Sequence, residues 1–235
     1  MQISEKFDLV SQVFSSVSNK YDLMNDLMSA GSHRIWKRNL VDSIAVKNGD
    51  SILDLACGSG DIASLLRQKI ERSGVSDVQI SLCDENQNML DLARNRLKCA
   101  KDFTTSSAES LSYPDNSFDI VTLSFGLRNF SDIPAALCQI YRVLKPNGRF
   151  YCLEFFPDIS NPVFKKVYNF YLSSVIPRIG KVVTQDYDSY SYFAKSIINF
   201  MSKNDLINCL QNCQFKFCDA SASYFGALGY IRAVK

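Results

Sequence analysis

Short apolar runs alternate with longer segments of helical periodicity from residue 50 to residue 156, and no other feature limits the fold of this chain so strongly. The clearest apolar runs are SILDLA (51–56), VQISLCD (78–84), FDIVTLSF (118–125) and GRFYCLEFF (148–156). Near-continuous apolar strands separated by helices are typical of a parallel sheet with helices on both faces. Because βαβ connections are right-handed, the pattern predicts a doubly wound α/β fold.

The segment before this core is predicted to be helical. Apolar residues recur at three- and four-residue spacing across 5–45, with a break at Gly31. We therefore expect a helical cover formed by residues 1–48. No linker or repeat divides the chain, so a single domain over 1–235 is expected.

The segment after the core changes character. Residues 157–200 contain three prolines and are interpreted as an insertion of irregular helices. Twelve of the 28 aromatic residues fall within 151–200, which suits a lid over an apolar pocket. Packing of these rings against the sheet is an equally good explanation. A helix capped by Ser202 follows, and the strand candidates 214–221 and 227–235 suit an antiparallel hairpin at a sheet edge.

Charge and hydropathy exclude several classes of protein. The formal charge of +2 is too small to suggest a nucleic-acid partner. The first residues, MQISEKFDLV, carry charges where a signal peptide needs an apolar segment. No uncharged apolar run approaches the roughly 18 residues that span a bilayer. We therefore expect a cytoplasmic chain that would meet a membrane only at its surface.

The eight cysteines could form disulfides, bind zinc or remain as buried thiols. Cys57, Cys83 and Cys152 lie in or beside apolar runs, where a thiol acts as a small apolar side chain. Cys209 and Cys213 are four residues apart, but no second pair has ligand spacing and the chain has one histidine. We expect reduced thiols and no metal site.

The turn after the first strand has the spacing of a dinucleotide-binding motif. In ILDLACGSGDIA (52–63), Gly58, Gly60 and Ala63 satisfy the pattern G-x-G-x-x-G/A. Asp84 ends the second strand, where a carboxylate can accept hydrogen bonds from two ribose hydroxyls. A purely structural turn, with Asp84 capping a helix, is the alternative. These four residues serve NAD and S-adenosylmethionine equally well.

Two further carboxylates bear on the choice of cofactor. A pyrophosphate gains from the positive end of the helix that begins near Asp61, and an aspartate there opposes it. A sulfonium cofactor has no phosphate and tolerates acidic neighbours. Asp54 favours the same cofactor, although it could instead be a structural carboxylate that accepts hydrogen bonds from the turn amides.

The sequence also resembles a known family. LDLACGSGD, CDENQNML, AESLSYPDNSFDIVTLSFGLRNF and IYRVLKPNGRFYCLEF are similar to successive motifs of class I S-adenosylmethionine-dependent methyltransferases. More narrowly, KYDLMNDLMSAGSHRIWK, SFGLRN and DSYSYFAKSI resemble the menaquinone/ubiquinone biosynthesis C-methyltransferases. The resemblance extends from about Phe14 to about Phe215. It implies a Rossmann-like seven-stranded sheet whose last strand is antiparallel, and S-adenosyl-L-methionine as the cofactor.

The resemblance also implies a set of cofactor-binding residues, with the ribose at Asp84 and the adenine near residues 107 and 108. The set comprises Gly58, Ser59, Gly60, Asp84, Ser107, Ala108 and Ser124.

The implied reaction transfers a methyl group to a ring carbon of a prenylated quinol. The substrate would be demethylmenaquinol, the 2-polyprenyl-6-methoxy-1,4-benzoquinol of ubiquinone synthesis, or both. Arg128 is expected to stabilise the phenolate, or with water to help remove the proton, and Asn129 to hold the second oxygen. The structural alternative is that Arg128 pairs with a carboxylate such as Asp132 and only shapes the loop. Other polar candidates on the cover are Tyr21, Asp22 and His33.

The sequence also leaves open which partners the protein has and which other functions it could serve. Four cations of the insertion could meet anionic lipid at the inner face of a membrane, or could simply be solvated: Lys165, Lys166, Arg178 and Lys181. A homo-oligomer is also left open. The rival functions are an NAD-dependent oxidoreductase, a non-catalytic lipid-binding or scaffold protein with the same fold, and a methyltransferase acting on RNA or protein.

Overall fold

The apolar runs form one seven-stranded sheet in the computed structural model, which describes residues 25, 26, 29 and 31–235. The strand order is β3-β2-β1-β4-β5-β7-β6. The strands are β1 (Ser51–Leu55), β2 (Gln79–Asp84), β3 (Asp102–Thr105), β4 (Phe118–Ser124), β5 (Leu144–Phe155), β6 (Phe217–Ser223) and β7 (Leu228–Val234).

Eight α-helices of the described residues connect or cover these strands. They are α1 (Ser32–Ser43), α2 (Asp61–Ser73), α3 (Gln87–Arg96), α4 (Ile133–Val143), α5 (Pro162–Phe170), α6 (Ile176–Val183), α7 (Tyr187–Ile198) and α8 (Lys203–Asn212). A π-helical turn, Tyr171–Val175, joins α5 to α6.

Strand direction agrees with the sequence prediction. Strands β1 to β5 pair in parallel, and β7 lies antiparallel to both β5 and β6. The antiparallel last strand and the edge hairpin are therefore confirmed. The chain order reverses between β1 and β4, and at such a switch point the loops after neighbouring strands diverge and leave a crevice.

Two apolar layers cover the two faces of the sheet, which confirms the doubly wound arrangement. On one face, Leu40 of α1, Leu66 of α2 and Leu90 of α3 pack against Ile52 of β1 and are almost fully buried. On the other face, α4 and α8 pack against β4 and β5. Each of these five helices packs an apolar face against the sheet, as its sequence periodicity predicts.

The ends of the predicted elements differ from the observed ones by a few residues. Ser202 accepts a hydrogen bond from the Asp205 amide and caps α8, as predicted. The helix expected over 86–100 ends at Arg96, and β5 begins four residues earlier than expected, at Leu144. Element ends depend on single hydrogen bonds and are the least predictable part of a pattern.

The predicted N-terminal cover is described in part. Gly31, with a φ of 76°, precedes α1, as the break in the sequence pattern suggested. Residues 1–24, 27, 28 and 30 lie outside the described residues, and with them most of the predicted cover over 1–48 and the candidates Tyr21 and Asp22. In the part that is described, α1 supplies Trp36 and Leu40 to the apolar layer.

The insertion 157–200 has a small core of its own. Tyr190 of α7 is fully buried against Gly180 of α6, where an added Cβ would lie 2.4 Å from the ring. Leu172, Ile176 and Ile197 complete this core. Part of the aromatic excess therefore serves packing.

The thiol prediction is wrong for one pair of cysteines. Cys138 of α4 and Cys213, just after α8, form a disulfide. They are 75 residues apart in sequence, and only the packing of α4 against α8 brings them together. Cys57, Cys83 and Cys152 are free and buried, as expected.

Candidate active site

The glycine turn after β1 is held by the carboxylate at the end of β2. Gly58 and Gly60 adopt positive φ angles of 54° and 82°, which glycine reaches without strain. The amide of Gly58 donates to Asp84 Oδ2 at 2.8 Å, and the amide of Asn86 donates to Oδ1 at 2.9 Å. A Cβ on Gly60 would lie 3.2 Å from the Cβ of Ala93 on α3, so the turn also packs closely.

An open cavity of about 770 Å³, its mouth included, lies at the carboxyl ends of β1, β2 and β4. It lies at the position where doubly wound sheets bind ligands. We call it the cofactor cavity. Its lining comprises Leu55, Ala56, Gly58, Asp84, Glu85, Asn86, Met89, Ser106, Ala108, Ser124, Phe125, Gly126, Asn129 and Phe130.

Five of the predicted site residues line the cofactor cavity together: Gly58, Asp84, Ala108, Ser124 and Asn129. Four others do not line it: Ser59, Gly60, Ser107 and Arg128. The direct ligand contacts assigned to all nine remain predictions. Ser106 also lines the cavity, which the sequence analysis did not predict.

Two of the residues outside the lining are engaged elsewhere. The hydroxyl of Ser107 donates to the carboxylate of Glu109. Ser59 is buried, and its hydroxyl accepts a hydrogen bond from Arg96 Nη1 at 3.3 Å. Gly60 acts through the backbone, where its positive φ begins α2.

Asp84 presents its carboxylate to the cavity from a partly buried position. Burial raises the pKa of this group, while the hydrogen bonds from the Asn86 and Gly58 amides oppose that shift. Each carboxylate oxygen has a second lone-pair site for a ligand hydroxyl. This donor and acceptor arrangement suits the two hydroxyls of a ribose.

Asp54 lies on β1, and its carboxylate caps the first turn of α2. Its Oδ2 accepts the Ala63 amide at 3.1 Å, and its Oδ1 accepts the Thr122 hydroxyl at 2.9 Å. Burial raises the pKa of Asp54 to about 7. Because the chain's own carboxylate already occupies the helix N-terminus, the place where a dinucleotide pyrophosphate would bind is taken.

The prediction that the charge of Asp61 opposes a pyrophosphate is wrong. Asp61 Oδ2 bonds to Lys37 Nζ at 2.6 Å, and its Oδ1 contacts Arg96 Nη1. Burial raises the pKa of Asp61, but these two cations outweigh burial and lower it. The negative charge is thus neutralised, and the case against a pyrophosphate is carried by Asp54 alone.

One buried polar atom in the cavity wall fits a bound cofactor. The Ser124 hydroxyl, at the end of β4, has no hydrogen-bond partner within the described part of the chain. Buried hydroxyls normally have partners, and an unsatisfied one costs about 1–3 kcal/mol. A polar ligand in the cavity can supply that partner. With the Asp84 carboxylate, these residues fit S-adenosylmethionine.

Arg128 pairs with Glu154 and not with Asp132. Its Nη1 lies 2.6 Å from Glu154 Oε1, and its backbone amide is 3.3 Å from Oε2. The guanidinium lies 4.9 Å from the centre of the Phe193 ring. Asp132 instead caps α4 by accepting the Ala135 amide.

Arg128 keeps part of its hydrogen-bonding capacity. Nε donates to Ser196 on α7, and Nη1 donates to the Phe125 carbonyl as well as to Glu154. Nη2 donates to none of the described residues. Asn129 Oδ1 accepts the Tyr192 hydroxyl of α7 at 3.3 Å. The insertion therefore reaches the site through the two residues predicted to act on the substrate.

His33 lies outside the cofactor cavity. It is buried on α1, where its Nε2 lies 2.9 Å from Asp26 Oδ1. Burial lowers the pKa of His33 and outweighs the hydrogen bond to Asp26, which raises it. His33 is not among the residues that line the cofactor cavity.

An aromatic wall beside the cavity was missed by the sequence analysis. Trp36 of α1 packs edge-on against Phe125, Phe155 and Tyr224, and Phe125 stacks on Phe155 at 4.7 Å between ring centres. Glu154 was missed as well. Its signal was a single carboxylate in the otherwise apolar strand FYCLEFF.

Fold and site together define a class of protein. A seven-stranded sheet with an antiparallel last strand, a glycine turn after β1 and an acidic residue ending β2 describe an S-adenosylmethionine-dependent methyltransferase. Solved structures agree on the fold. An S-adenosylmethionine-dependent methyltransferase from Thermotoga maritima superposes with a TM-score of 0.68 at 16% identity, covering 96% of this chain and 99% of its own. One from Aquifex aeolicus has a TM-score of 0.61 at 13% identity, with 91% and 97% covered.

The chain belongs to the ubiE/COQ5 methyltransferase family, whose family model matches residues 1–235. It is 39% identical to the ubiquinone/menaquinone biosynthesis C-methyltransferase UbiE of Psychromonas ingrahamii, over all of this chain and 92% of that protein. It is 43% identical to UbiE of Stenotrophomonas maltophilia, over 91% and 85% of the two chains.

The protein is therefore an S-adenosylmethionine-dependent C-methyltransferase. The interpretations as an NAD-dependent oxidoreductase or a non-catalytic protein are not supported.

Proposed function

We propose that this enzyme methylates a ring carbon of a prenylated quinol, either demethylmenaquinol or the 2-polyprenyl-6-methoxy-1,4-benzoquinol. The observation that carries the proposal is the similarity over the whole chain to C-methyltransferases named for ubiquinone and menaquinone biosynthesis. The aromatic wall beside the cofactor cavity supports a flat, apolar ring as the substrate.

The cofactor supplies a methyl group carried on a cationic sulfur. A quinol carbon becomes nucleophilic when a neighbouring ring hydroxyl loses its proton, because the phenolate charge spreads onto the ring. The protein must hold that carbon in line with the methyl group and exclude water. Gly58, Asp84 and Ser124 are the residues that would fix the cofactor at the carboxyl ends of the strands.

Arg128 is the residue best suited to stabilise the phenolate. Its guanidinium is buried beside the Phe155 and Phe193 rings, and its Nη2 donors are unused by the described residues. A cation with spare donors in a water-poor site stabilises a developing oxyanion strongly. Because arginine stays protonated, it would not act as the base. Asn129 is the neighbouring group for the second quinol oxygen.

Incubation with methyl-labelled S-adenosylmethionine tests the proposal. Demethylmenaquinol and the benzoquinol are supplied separately in detergent, and label in the extracted lipid is counted. We expect label in at least one of the two. A protein that binds the cofactor and labels neither lipid would contradict the proposal. Comparison of kcat/KM for the two quinols then identifies the preferred head group.

We also propose that the insertion contacts an anionic lipid surface. Val163, Phe170 and Val182 are 74%, 64% and 81% exposed. Four cations of the same segment accompany them: Lys165, Lys166, Arg178 and Lys181. Exposed apolar side chains among cations suit a surface that is apolar below its anionic head groups. Within the described residues, no helix is long and apolar enough to cross a membrane.

Vesicle sedimentation tests this contact. Binding should be stronger to phosphatidylcholine vesicles that contain phosphatidylglycerol than to phosphatidylcholine alone, and should weaken in Val163→Glu/Phe170→Glu. The matched control is Ile35→Glu, since Ile35 is 62% exposed on α1. Equal binding of all three proteins, or no binding, would contradict the contact and leave the quinol proposal standing.

A further inference from the structure

One helix of the insertion bonds to both residues that were predicted to act on the substrate. Arg128 and Asn129 are neighbours in the 3₁₀ turn Leu127–Asn129, which follows β4. Ser196 of α7 accepts a hydrogen bond from Arg128 Nε at 3.1 Å, and the Tyr192 hydroxyl of α7 donates to Asn129 Oδ1 at 3.3 Å. Residues four positions apart lie on the same face of a helix. Helix α7 therefore presents one hydrogen-bonding face to this turn.

The bond to Tyr192 gives the two ends of the Asn129 amide different roles. Oδ1 is the accepting end, and the Tyr192 hydroxyl occupies it. Nδ2 is the donating end, and it donates to none of the described residues. Asn129 also lines the cofactor cavity, beside Ser124 and Phe125. Because an amide nitrogen carries two donors, an oxygen atom of a ligand can accept a hydrogen bond from Asn129.

Tyr192 is suited to remain a donor in this position. Burial raises the pKa of its hydroxyl, although the nearby charge of Arg128 opposes that shift. The hydroxyl therefore stays protonated at neutral pH and keeps its proton for Asn129. Phe193, the next residue of α7, lies with its ring centre 4.9 Å from the Arg128 guanidinium. Aromatic rings thus surround these polar groups, and a hydrogen bond has more weight there than in water.

We propose that Tyr192 is a positioning residue for the second oxygen of the quinol. By holding Oδ1 of Asn129, it leaves Nδ2 to donate to that oxygen, so that the quinol ring is fixed at a second point besides Arg128. The inference rests on the proposed function, since it assigns Tyr192 to the same quinol site. The insertion then takes part in substrate binding through the orientation of Asn129.

A purely structural role for Tyr192, in which it only ties the insertion to the turn, is the competing explanation. A quinol analogue that lacks the second oxygen separates the two explanations. The analogue keeps the prenyl chain and the hydroxyl next to the methylated carbon, and it has a hydrogen atom in place of the other hydroxyl. A structural defect weakens the binding of the quinol and the analogue alike, whereas a misdirected Asn129 amide weakens only the binding of the quinol.

Steady-state kinetics of Tyr192→Phe test the proposal. The KM of the better of the two quinols is compared with the Ki of the analogue as a competitive inhibitor of methyl transfer. We expect KM to rise about threefold to tenfold, as for one lost hydrogen bond, and Ki to change less than about twofold. Tyr187→Phe is the matched control and should leave both constants unchanged, since it removes a hydroxyl from the same helix at a residue that is 46% exposed.

A double-mutant cycle tests whether Tyr192 acts through Asn129. In an Asn129→Ala background, Tyr192→Phe should lower kcat/KM less than about twofold further, because the amide that Tyr192 holds is gone. Calorimetry with S-adenosylhomocysteine confirms that the cofactor cavity is intact in each variant. Losses that simply multiply in the double variant would show that Tyr192 does not act through Asn129.

Two further results would overturn the proposal. An unchanged KM in Tyr192→Phe would show that the hydroxyl does not position the substrate. An equal rise in the KM of the quinol and the Ki of the analogue would assign Tyr192 the structural role. Wild-type enzyme that methylates neither quinol would instead contradict the proposed function, so the two failures are told apart by the activity of the wild type.

Discussion

The buried ion pair between Arg128 and Glu154 is the perturbation that tests the site most severely. The side chains are 4% and 0% exposed, and Nη1 lies 2.6 Å from Oε1. Removing one partner of such a pair leaves an uncompensated buried charge and costs about 3–5 kcal/mol. A domain of ordinary stability has only about 5–15 kcal/mol in total.

The variants Arg128→Met and Glu154→Gln should therefore each lower the free energy of unfolding by about 3–5 kcal/mol. The double variant buries no charge at this pair. The amide oxygen introduced by Glu154→Gln would also still accept the Phe155 amide, which Glu154 now accepts at 2.9 Å. We expect the double variant to regain most of the lost stability. A coupling energy of several kcal/mol would measure the pair.

Urea unfolding followed by circular dichroism gives the stabilities, and calorimetry with S-adenosylhomocysteine confirms that the cofactor cavity is intact. The double variant should bind this ligand normally and fail to methylate the quinol, because Arg128 is absent. A loss below about 1 kcal/mol in Arg128→Met would refute the energetic reasoning. Methylation by the double variant at the wild-type rate would refute a role for Arg128 in the reaction.

Three further substitutions test the cofactor side. Asp84→Asn should weaken S-adenosylhomocysteine binding at least about tenfold in calorimetry through lost ribose and Gly58 hydrogen bonds, whereas Asp91→Asn on the exposed face of α3 should not. Burial raises the pKa of Asp54 to about 7, above about 4 in the unfolded chain, so its stabilising contribution is complete below pH of about 4 and is lost as pH rises through about 7. In Asp54→Asn, thermal melts should therefore show a flatter fall of stability over that range; an unchanged slope would contradict the assignment. Gly126→Ala would put a Cβ 2.7 Å from the Ala56 Cβ and should lower the free energy of unfolding in urea by about 1–3 kcal/mol. Unchanged stability would show that the backbone near Ala56 shifts to make room for the added methyl group.

The sequence predicted β1, β2 and β4 at the centre of the sheet well because these strands are buried and are therefore almost continuously apolar. That signal needs no knowledge of the partner strand. The glycine turn and Asp84 were predictable for a related reason, since both lie next to such a strand in the chain. The contacts of α1 were not predictable, because Trp36 meets Tyr224 from 188 residues away.

Charge pairing was the main source of error. The sequence suggested that Arg128 could pair with a carboxylate such as Asp132, four residues away. Arg128 does pair with a carboxylate, but the fold provides Glu154 on the neighbouring strand β5. The prediction that Asp61 carries an unpaired negative charge was wrong for the same reason, because Lys37 and Arg96 approach it only in the folded chain. The sequence shows which residues are charged, but it does not show which of them pair in the folded chain. The energy of each charge then depends on its partner and on its burial.

Transfer of a 13C-labelled methyl group tests the central claim most directly. The enzyme is incubated with S-adenosylmethionine labelled at the methyl carbon and with the better of the two quinols, and the product is read by carbon NMR. The account predicts one labelled methyl bound to a ring carbon of the quinol. Label on a quinol oxygen, or no label in a protein that binds S-adenosylhomocysteine, would contradict it.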